Sequence, residues 1–243
     1  MTSVTTTRPL LFLQVGHTFD EIARERGDYD VWFRRGLNQA GDTFQVLRAV
    51  DGEPLPGHFD YRGVVVSGSW SMVTDREPWS EACAAYLHSA HAHRVPILGV
   101  CYGHQLLAHA FGGEVGYNPD GRHAGTAAIT LTAAAESDPL LSGLPAVLSA
   151  QVSHSQRVLS LPVGATLLAT AKLDPFHAFR IGDSTWGVQF HPEFDANVSR
   201  RYIELRRDKI LAEGLDPDAL IAGVHETDVG ARVLARFAQI TRS

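Results

Sequence analysis

Short apolar runs alternate with longer amphipathic segments over the first hundred residues of the chain. The runs cover residues 10–15, 43–48, 63–67 and 97–100, and each is bounded by Gly, Pro or polar turn residues. Such compact, nearly continuous apolar runs are typical of strands buried on both faces of a parallel sheet. The segments between them predict helices, including one over residues 29–39 and one over 80–93 that has Ser80 as its N-cap. This half therefore predicts a doubly wound α/β arrangement.

The second half has a different pattern. Apolar runs separated by turns predict shorter strands, some of them antiparallel, at residues 126–132, 147–152, 166–171, 176–181 and 185–190. From residue 196 onward the apolar spacing becomes helical. No repeat or linker divides the chain, so we expect a single domain over residues 1–243, with disorder in residues 1–8 and helices over 196–243.

Composition and charge narrow the class of protein. Of the 243 residues 44% are hydrophobic and 20% charged, as in ordinary globular proteins. The net charge of −6 argues against a nucleic-acid partner, because such proteins usually carry a basic face. No apolar run has the length of a membrane span or of a signal-peptide core, and there are only two cysteines. The expected location is a reducing cytoplasm, without a membrane partner.

Cys101 follows a predicted buried strand and precedes a helix that begins near Gly103. The pattern Gly99-x-Cys101-x-Gly103 has the spacing of a nucleophile elbow, where small neighbours relieve crowding in a sharp turn. A thiol at a helix start also lies near unpaired N–H groups that favour the reactive thiolate. The alternative is a buried structural cysteine, the role we assign to Cys83 in its Ala-rich helix.

A second candidate group is His191-Pro192-Glu193, at the end of the predicted strand over 185–190. A histidine there can exchange a proton with the thiol and the leaving group, and a neighbouring carboxylate can orient the imidazole. The order Cys, His, Glu also differs from the Ser, Asp, His order of α/β-hydrolases. The alternative, a merely structural capped turn, leaves the elbow cysteine without a base.

These segments together resemble the class I glutamine amidotransferases, whose catalytic triad is Cys-His-Glu. The resemblance is carried by the segments around Cys101 and around His191, supported by those at residues 65–69 and 152–155, and it is strongest to free-standing members similar to the glutaminase part of GMP synthetase. It implies a flavodoxin-like three-layer α/β sandwich with a mainly parallel central sheet and some antiparallel strands in the second half. It also implies that glutamine forms a γ-glutamyl thioester on Cys101, with His191 and Glu193 as its partners.

The resemblance further implies roles for residues around the nucleophile. The backbone N–H groups of Ser69 and Tyr102 are expected to form the oxyanion hole. The expected substrate-binding residues are Gly68, Gln105, Ser153, His154 and Ser155. For Gln105 the alternative is a packing or capping role, and for the polar loop residues simple solvation. Trp70, Asp75, Arg76 and Trp79 are candidates for the mouth of the site, with packing as the alternative for Trp79.

The sequence predicts no metal and no cofactor. His104, His109 and His154 are interpreted as surface or supporting groups, because no acid or histidine stands at a ligand-like spacing from them. Three functions remain open: a glutaminase that supplies ammonia to a separate synthetase or acceptor subunit, a self-contained hydrolase of other γ-glutamyl amides or peptides, and a catalytically silent binding or regulatory subunit.

Overall fold

A computed structural model describes residues 8–38, 43–57 and 59–242. Residues 1–7, most of the segment for which disorder is predicted, lie outside this part. The strands are β1 (Leu10–Gln14), β2 (Phe44–Arg48), β3 (Gly63–Val66), β4 (Ile97–Val100), β5 (Glu114–Tyr117), β6 (His123–Leu131), β7 (Val147–His154), β8 (Gln156–Ser160), β9 (Thr166–Ala171), β10 (Asp174–Ile181) and β11 (Thr185–Val188). The helices are α1 (Asp20–Arg26), α2 (Tyr29–Gly36), α3 (Pro78–Ala92), α4 (Tyr102–Ala110), α5 (Ala196–Leu205), α6 (Arg207–Ala212), α7 (Pro217–Gly223) and α8 (Val229–Ile240).

Within the described residues, one sheet of nine strands has the order β2-β1-β3-β4-β11-β10-β9-β6-β7. The first five strands of that order are parallel, and the remaining strands join them through antiparallel pairs. Strands β5 and β8 form a separate antiparallel pair. The parallel core extended by antiparallel strands confirms the fold class expected from the sequence.

Helices cover both faces of the sheet. Leu10 and Phe12 of β1 pack on one face in the same cluster as Phe33 of α2 and Phe237 of α8. The alternating residues, Leu11 and Leu13, pack on the other face against α3 and α4. Successive side chains of a strand point to opposite faces, so a strand that is apolar throughout is buried between two helical layers. The flavodoxin-like three-layer arrangement is confirmed.

Two helices differ in their bounds from the sequence-based predictions. Helix α3 begins at Pro78 with Glu77 as its N-cap, so Ser80 is not the cap; it is buried in the first turn, with its hydroxyl 2.6 Å from that of Tyr102. Proline is favoured at the first helical position because the N–H that it lacks needs no partner there. Helix α2 ends at Gly36, short of the predicted end at residue 39, which itself lies outside the described part.

The sequence predictions also omitted α1, β5 and β8. Two features of the sequence indicate α1: acidic residues in its first turn and Gly27 at its C-cap, where φ is 81°. No helix of the described part is both long and apolar enough to span a membrane.

The order of the parallel strands determines where functional groups meet. Strands β3, β4 and β11 are adjacent and parallel, with Val100 of β4 beside Val188 of β11. Their carboxyl ends therefore lie at one edge of the sheet, where ligand sites of such folds are usually found.

Candidate active site

Cys101 lies in a sharp turn between β4 and α4. Its backbone has φ 51° and ψ −98°, a conformation that non-glycine residues seldom adopt. The glycines on either side permit the turn: a Cβ on Gly99 would lie 2.4 Å from the carbonyl oxygen of Gly103, and one on Gly103 would lie 2.8 Å from that of Val66. This geometry is the elbow that the Gly-x-Cys-x-Gly spacing predicts, and Cys101 lines a pocket at the sheet edge.

His191 and Glu193 follow β11 and form a buried pair. Nδ1 of His191 lies 2.8 Å from Oε1 of Glu193, and both side chains are almost wholly inaccessible to solvent. The ring of His191 stacks on Phe194, with centroids 4.1 Å apart. A Cβ placed on Gly68 would lie 3.0 Å from Cε1 of His191 and 3.7 Å from Cβ of Cys101. The fold thus brings the three residues of the predicted triad together.

The charges around His191 favour its protonated form. Burial alone would lower its pKa, but the Glu193 carboxylate and the neighbouring Cys101 raise the pKa of His191 to about 10. An imidazolium places positive charge and a proton donor beside the sulfur of Cys101. A cysteine paired with such a group has the arrangement of a nucleophile with its acid and base.

The two predicted oxyanion-hole residues border the same pocket. Tyr102 is the first residue of α4, where backbone N–H groups have no acceptor within the helix. Ser69 lies in the loop after β3, close to Gly16, where a Cβ would approach the Ser69 Cα to 2.6 Å. The hydroxyl of Ser67 accepts from the N–H of Val15 at 3.0 Å and donates to the carbonyl of Gly68 at 2.9 Å. These contacts anchor the loop beside Cys101.

Gln105 borders the pocket, but its amide nitrogen is engaged within the protein. Nε2 donates to the backbone carbonyl of Gln156 at 2.8 Å and to Oε1 of Gln189 at 3.0 Å. An amide nitrogen has two hydrogens, so these bonds use both. Its contact with the segment after β7 supports the packing alternative, and only Oε1 is left for a ligand.

Ser153, His154 and Ser155, the predicted substrate-binding residues, form one wall of the same pocket. The backbone carbonyl oxygen of Ser153 lies 4.0 Å from Sγ of Cys101. His154 is buried, its Nδ1 lies 2.9 Å from the carbonyl oxygen of Gln156, and burial lowers its pKa to about 3. A ring with this environment is neutral at physiological pH.

Of the four residues considered for the mouth, only Trp70 lines this pocket. Trp79 instead stacks on Tyr102, with ring centroids 5.8 Å apart. This contact agrees with the packing role that was considered as the alternative for Trp79. Arg76 lies near Glu81, at 3.5 Å, and near His109. Asp75 does not border the pocket either.

Arg206 is a pocket residue that the sequence prediction missed. It lies between α5 and α6, and its guanidinium carbon is 3.8 Å from the centre of the Trp70 ring. Burial and the nearby Arg122 lower its pKa to about 10, and its Nε has no hydrogen-bond partner in the described part of the chain. It remains a cation at neutral pH. Only the folded chain brings this residue, more than a hundred positions from Cys101, to the same pocket.

The described residues also contain one cluster with the composition of a metal site. His154, Asp174 and His177 are buried, and one potential ligand atom from each lies within 4.8 Å of the other two. The sequence prediction of no metal rested on residue spacing. Asp174 and His177 come from β10, so spacing could not place them next to His154 of β7.

Comparison with known proteins agrees with this geometry. Residues 34–207 match the family model for glutamine amidotransferase class-I. The chain is 41% identical over 134 residues to "GMP synthase [glutamine-hydrolyzing]" of Porphyromonas gingivalis, which covers 54% of this chain but only 25% of that relative.

Two further matches extend over more of the chain. It is 30% identical over 189 residues to "Gamma-glutamyl peptidase 3" of Arabidopsis thaliana, covering 73% of both proteins. The crystal structure of a glutamine amidotransferase from Methylobacillus flagellatus superposes with a TM-score of 0.71 at 26% identity, covering 98% of this chain and 91% of that one. This chain belongs to the class I glutamine amidotransferase family.

Proposed function

We propose that the chain hydrolyses the side-chain amide of glutamine through a γ-glutamyl thioester on Cys101. The observation that carries this proposal is the meeting of the Cys101 elbow with the buried His191–Glu193 pair at the ends of two neighbouring parallel strands. Each group has the environment that its role requires: a strained, pocket-facing thiol, a charged imidazole and a buried carboxylate.

The reaction follows from these positions. The Cys101 thiolate attacks the amide carbon, and the protonated His191 gives its proton to the leaving nitrogen, which departs as ammonia. Neutral His191 then takes a proton from water as the water attacks the thioester, so that glutamate leaves and the thiol is restored. Glu193 holds the imidazole in orientation and stabilises its charged form.

Charge that develops on the substrate is met by backbone and side-chain donors. The N–H groups of Ser69 and Tyr102 are proposed to bind the oxyanion of both tetrahedral intermediates. Arg206 is proposed to bind the α-carboxylate of the substrate, because its guanidinium is a cation that lines the pocket and its Nε has no partner among the described residues. Ser153 and Ser155 form the wall along which the amino-acid end would lie.

Ammonia released here is useful only to a second reaction. We therefore include in the proposal a separate synthetase or acceptor subunit that consumes it. Co-purification and a rise in glutaminase rate on adding a candidate synthetase would support this part; a rate that no synthetase changes would argue for independent hydrolysis.

A second candidate is the hydrolysis of γ-glutamyl peptides by the same thioester chemistry. The observation that favours this candidate is the space next to the pocket. Two wider clefts of about 310 and 420 Å³ adjoin the pocket, and Met72 lines all three. A leaving group larger than ammonia would fit there. The similarity to a γ-glutamyl peptidase over most of both chains also supports it.

One experiment tests the chemistry and separates the candidates. Glutamate release from glutamine and from a panel of γ-glutamyl dipeptides would be measured for the purified chain, with trapping of the acyl-enzyme by mass spectrometry. A γ-glutamyl adduct on Cys101 is expected. A strong preference for dipeptides would favour the second candidate, and absence of both turnover and labelling would favour a silent subunit.

A further inference from the structure

A cluster of buried polar side chains lies between the ends of β7 and β10. It contains His154, the last residue of β7, together with Asp174 and His177 of β10. His154 is 4% exposed, and Asp174 and His177 are 0% exposed. His123, which stands opposite His154 in the β6–β7 register, places its ring 5.4 Å from that of His154.

The atoms that face one another in this cluster lack hydrogen-bond partners among the described residues. Nδ1 of His154 lies 2.9 Å from the Gln156 carbonyl, to which it must donate, and so Nε2 keeps its lone pair and has no partner. Asp174 accepts at Oδ1 from the N–H of Phe176 at 3.1 Å, but Oδ2 makes no hydrogen bond among the described residues. Neither ring nitrogen of His177 makes a hydrogen bond, although Nδ1 lies 3.3 Å from Oδ2 of Asp174.

Such an arrangement is unfavourable without a further group. Buried polar atoms are normally satisfied, and a buried carboxylate normally has a positive charge beside it. In the described part of the chain, no lysine or arginine pairs with Asp174; the one group within ion-pair distance is His177. A cation held between these three side chains would satisfy the orphaned atoms and neutralise the carboxylate together.

We propose that His154, Asp174 and His177 bind a zinc ion. Imidazole nitrogens and a carboxylate oxygen are ordinary zinc ligands at about 2.0–2.2 Å from the metal, which corresponds to ligand atoms roughly 3.4 Å apart in a tetrahedron. The observed separations of up to 4.8 Å require only small side-chain rotations. The bond from His154 Nδ1 to a backbone carbonyl is the supporting contact expected of a zinc-binding histidine. The fourth position is left for water or for His123.

The position of the site suggests a structural role for the ion. His154 directly follows Ser153, whose carbonyl oxygen lies 4.0 Å from Sγ of Cys101, and precedes Ser155 in the pocket wall. Zinc bound to His154 would hold this wall to β10 and so fix its distance from the nucleophile. The ion would not contact the reacting atoms.

Metal binding can be measured independently of catalysis. Because Cys101 and His191 are themselves possible zinc ligands, the starting protein is the full chain carrying Cys101→Ala. After stripping with a chelator, the protein is titrated with Zn²⁺ and its metal content determined by mass spectrometry, and Co²⁺ is used as a spectroscopic probe. We expect one equivalent of Zn²⁺ and a visible Co²⁺ spectrum typical of tetrahedral N/O ligands.

Substitutions of the proposed ligands test which residues bind the zinc ion. Asp174→Asn and His177→Gln, each in the Cys101→Ala background, are expected to weaken zinc binding by at least about tenfold. The matched control is His225→Gln, which removes an exposed histidine outside the cluster. Circular dichroism checks that each variant folds. Should both ligand variants unfold, the Co²⁺ spectrum of the Cys101→Ala chain decides the question by itself.

The proposal is overturned if the stripped Cys101→Ala chain binds no zinc on titration or shows no tetrahedral Co²⁺ spectrum. It is also overturned if the folded Asp174→Asn and His177→Gln variants bind zinc with undiminished affinity. None of these results bears on glutamine hydrolysis, so the zinc site and the proposed function can fail separately.

Discussion

The guanidinium carbon of Arg206 lies 3.8 Å from the centre of the Trp70 ring, and both residues line the pocket that contains Cys101. A position over the tryptophan ring stabilises the cation and holds it in place. This pair gives the proposed active site a fixed positive charge that does not depend on the triad.

Arg206→Gln is expected to raise the KM for glutamine by roughly 10- to 100-fold with a smaller effect on kcat, because one charge-assisted bond to the substrate carboxylate is lost. Steady-state kinetics check this. Arg207→Gln is the matched control, since the side chain of the adjacent Arg207 is half-buried and pairs with Asp218 at 2.6 Å. An Arg206→Gln enzyme with unchanged KM would contradict the assignment.

Cys101→Ala is expected to reduce glutamate release by at least about 1,000-fold, because no other side chain can replace the nucleophile. Cys83→Ala should retain activity if the protein stays folded, since Cys83 is buried in α3 and burial raises the pKa of its thiol to about 12. A glutamine-like electrophile should accordingly alkylate Cys101 alone, and glutamine should protect it. Equal labelling of the two cysteines would be inconsistent with an activated Cys101.

Glu193→Gln is expected to lower kcat by about 100-fold or more, because an amide cannot stabilise the imidazolium as a carboxylate does. The pKa of His191, followed by NMR, should fall from about 10 toward its ordinary value. Glu204→Gln is a control on the exposed face of α5, where Glu204 pairs with Arg201. A variant that keeps both its rate and its His191 titration would exclude Glu193 from the triad.

The raised pKa of His191 also predicts how stability depends on pH. A group whose pKa is higher in the folded state stabilises that state fully below its unfolded value, about 6.5, and this contribution disappears as pH rises through the folded value of about 10. The free energy of unfolding in urea should therefore fall between pH 6.5 and 10. The fall should be shallower in Glu193→Gln, and identical slopes for the two proteins would refute this linkage.

Gly99→Ala is expected to destabilise the fold by about 1–3 kcal/mol, because its Cβ would lie 2.4 Å from a backbone oxygen that cannot move without opening the elbow. Gly223→Ala is the control, since a Cβ there meets nothing within 4 Å. Urea denaturation of both variants gives the comparison. Similar stabilities would mean that the elbow is more adaptable than its contacts indicate.

The parts of the site that follow from local sequence were predictable. The Gly-x-Cys-x-Gly spacing and the His-Pro-Glu turn each encode a short-range geometry, and the parallel order of β4 and β11 then brings them together. In contrast, the position of Arg206 depends on how the helices after residue 195 pack over the loop at Trp70, and no local pattern encodes that contact.

The cluster around Asp174 also depends on tertiary packing, and so the local sequence did not predict it. Its histidines come from β7 and β10, which are not neighbours in the sheet order, and so neither spacing nor hairpin pairing brings them together in the sequence. The start of α3 was missed for a local reason: Ser80 is a good cap in general, but Pro78 already occupied the position that proline prefers.

The backbone of Cys101 ties the reactivity of the chain to its folding. Its φ of 51° is unfavourable for an L-amino acid and persists only because β4, α4 and the loop after β3 hold it from three sides. In a nascent or partly unfolded molecule this residue would relax to an ordinary conformation and move away from His191. Because His191 and Glu193 follow β11, the catalytic pairing of Cys101 requires that β11 lies beside β4, and in an incompletely folded chain Cys101 is an ordinary thiol.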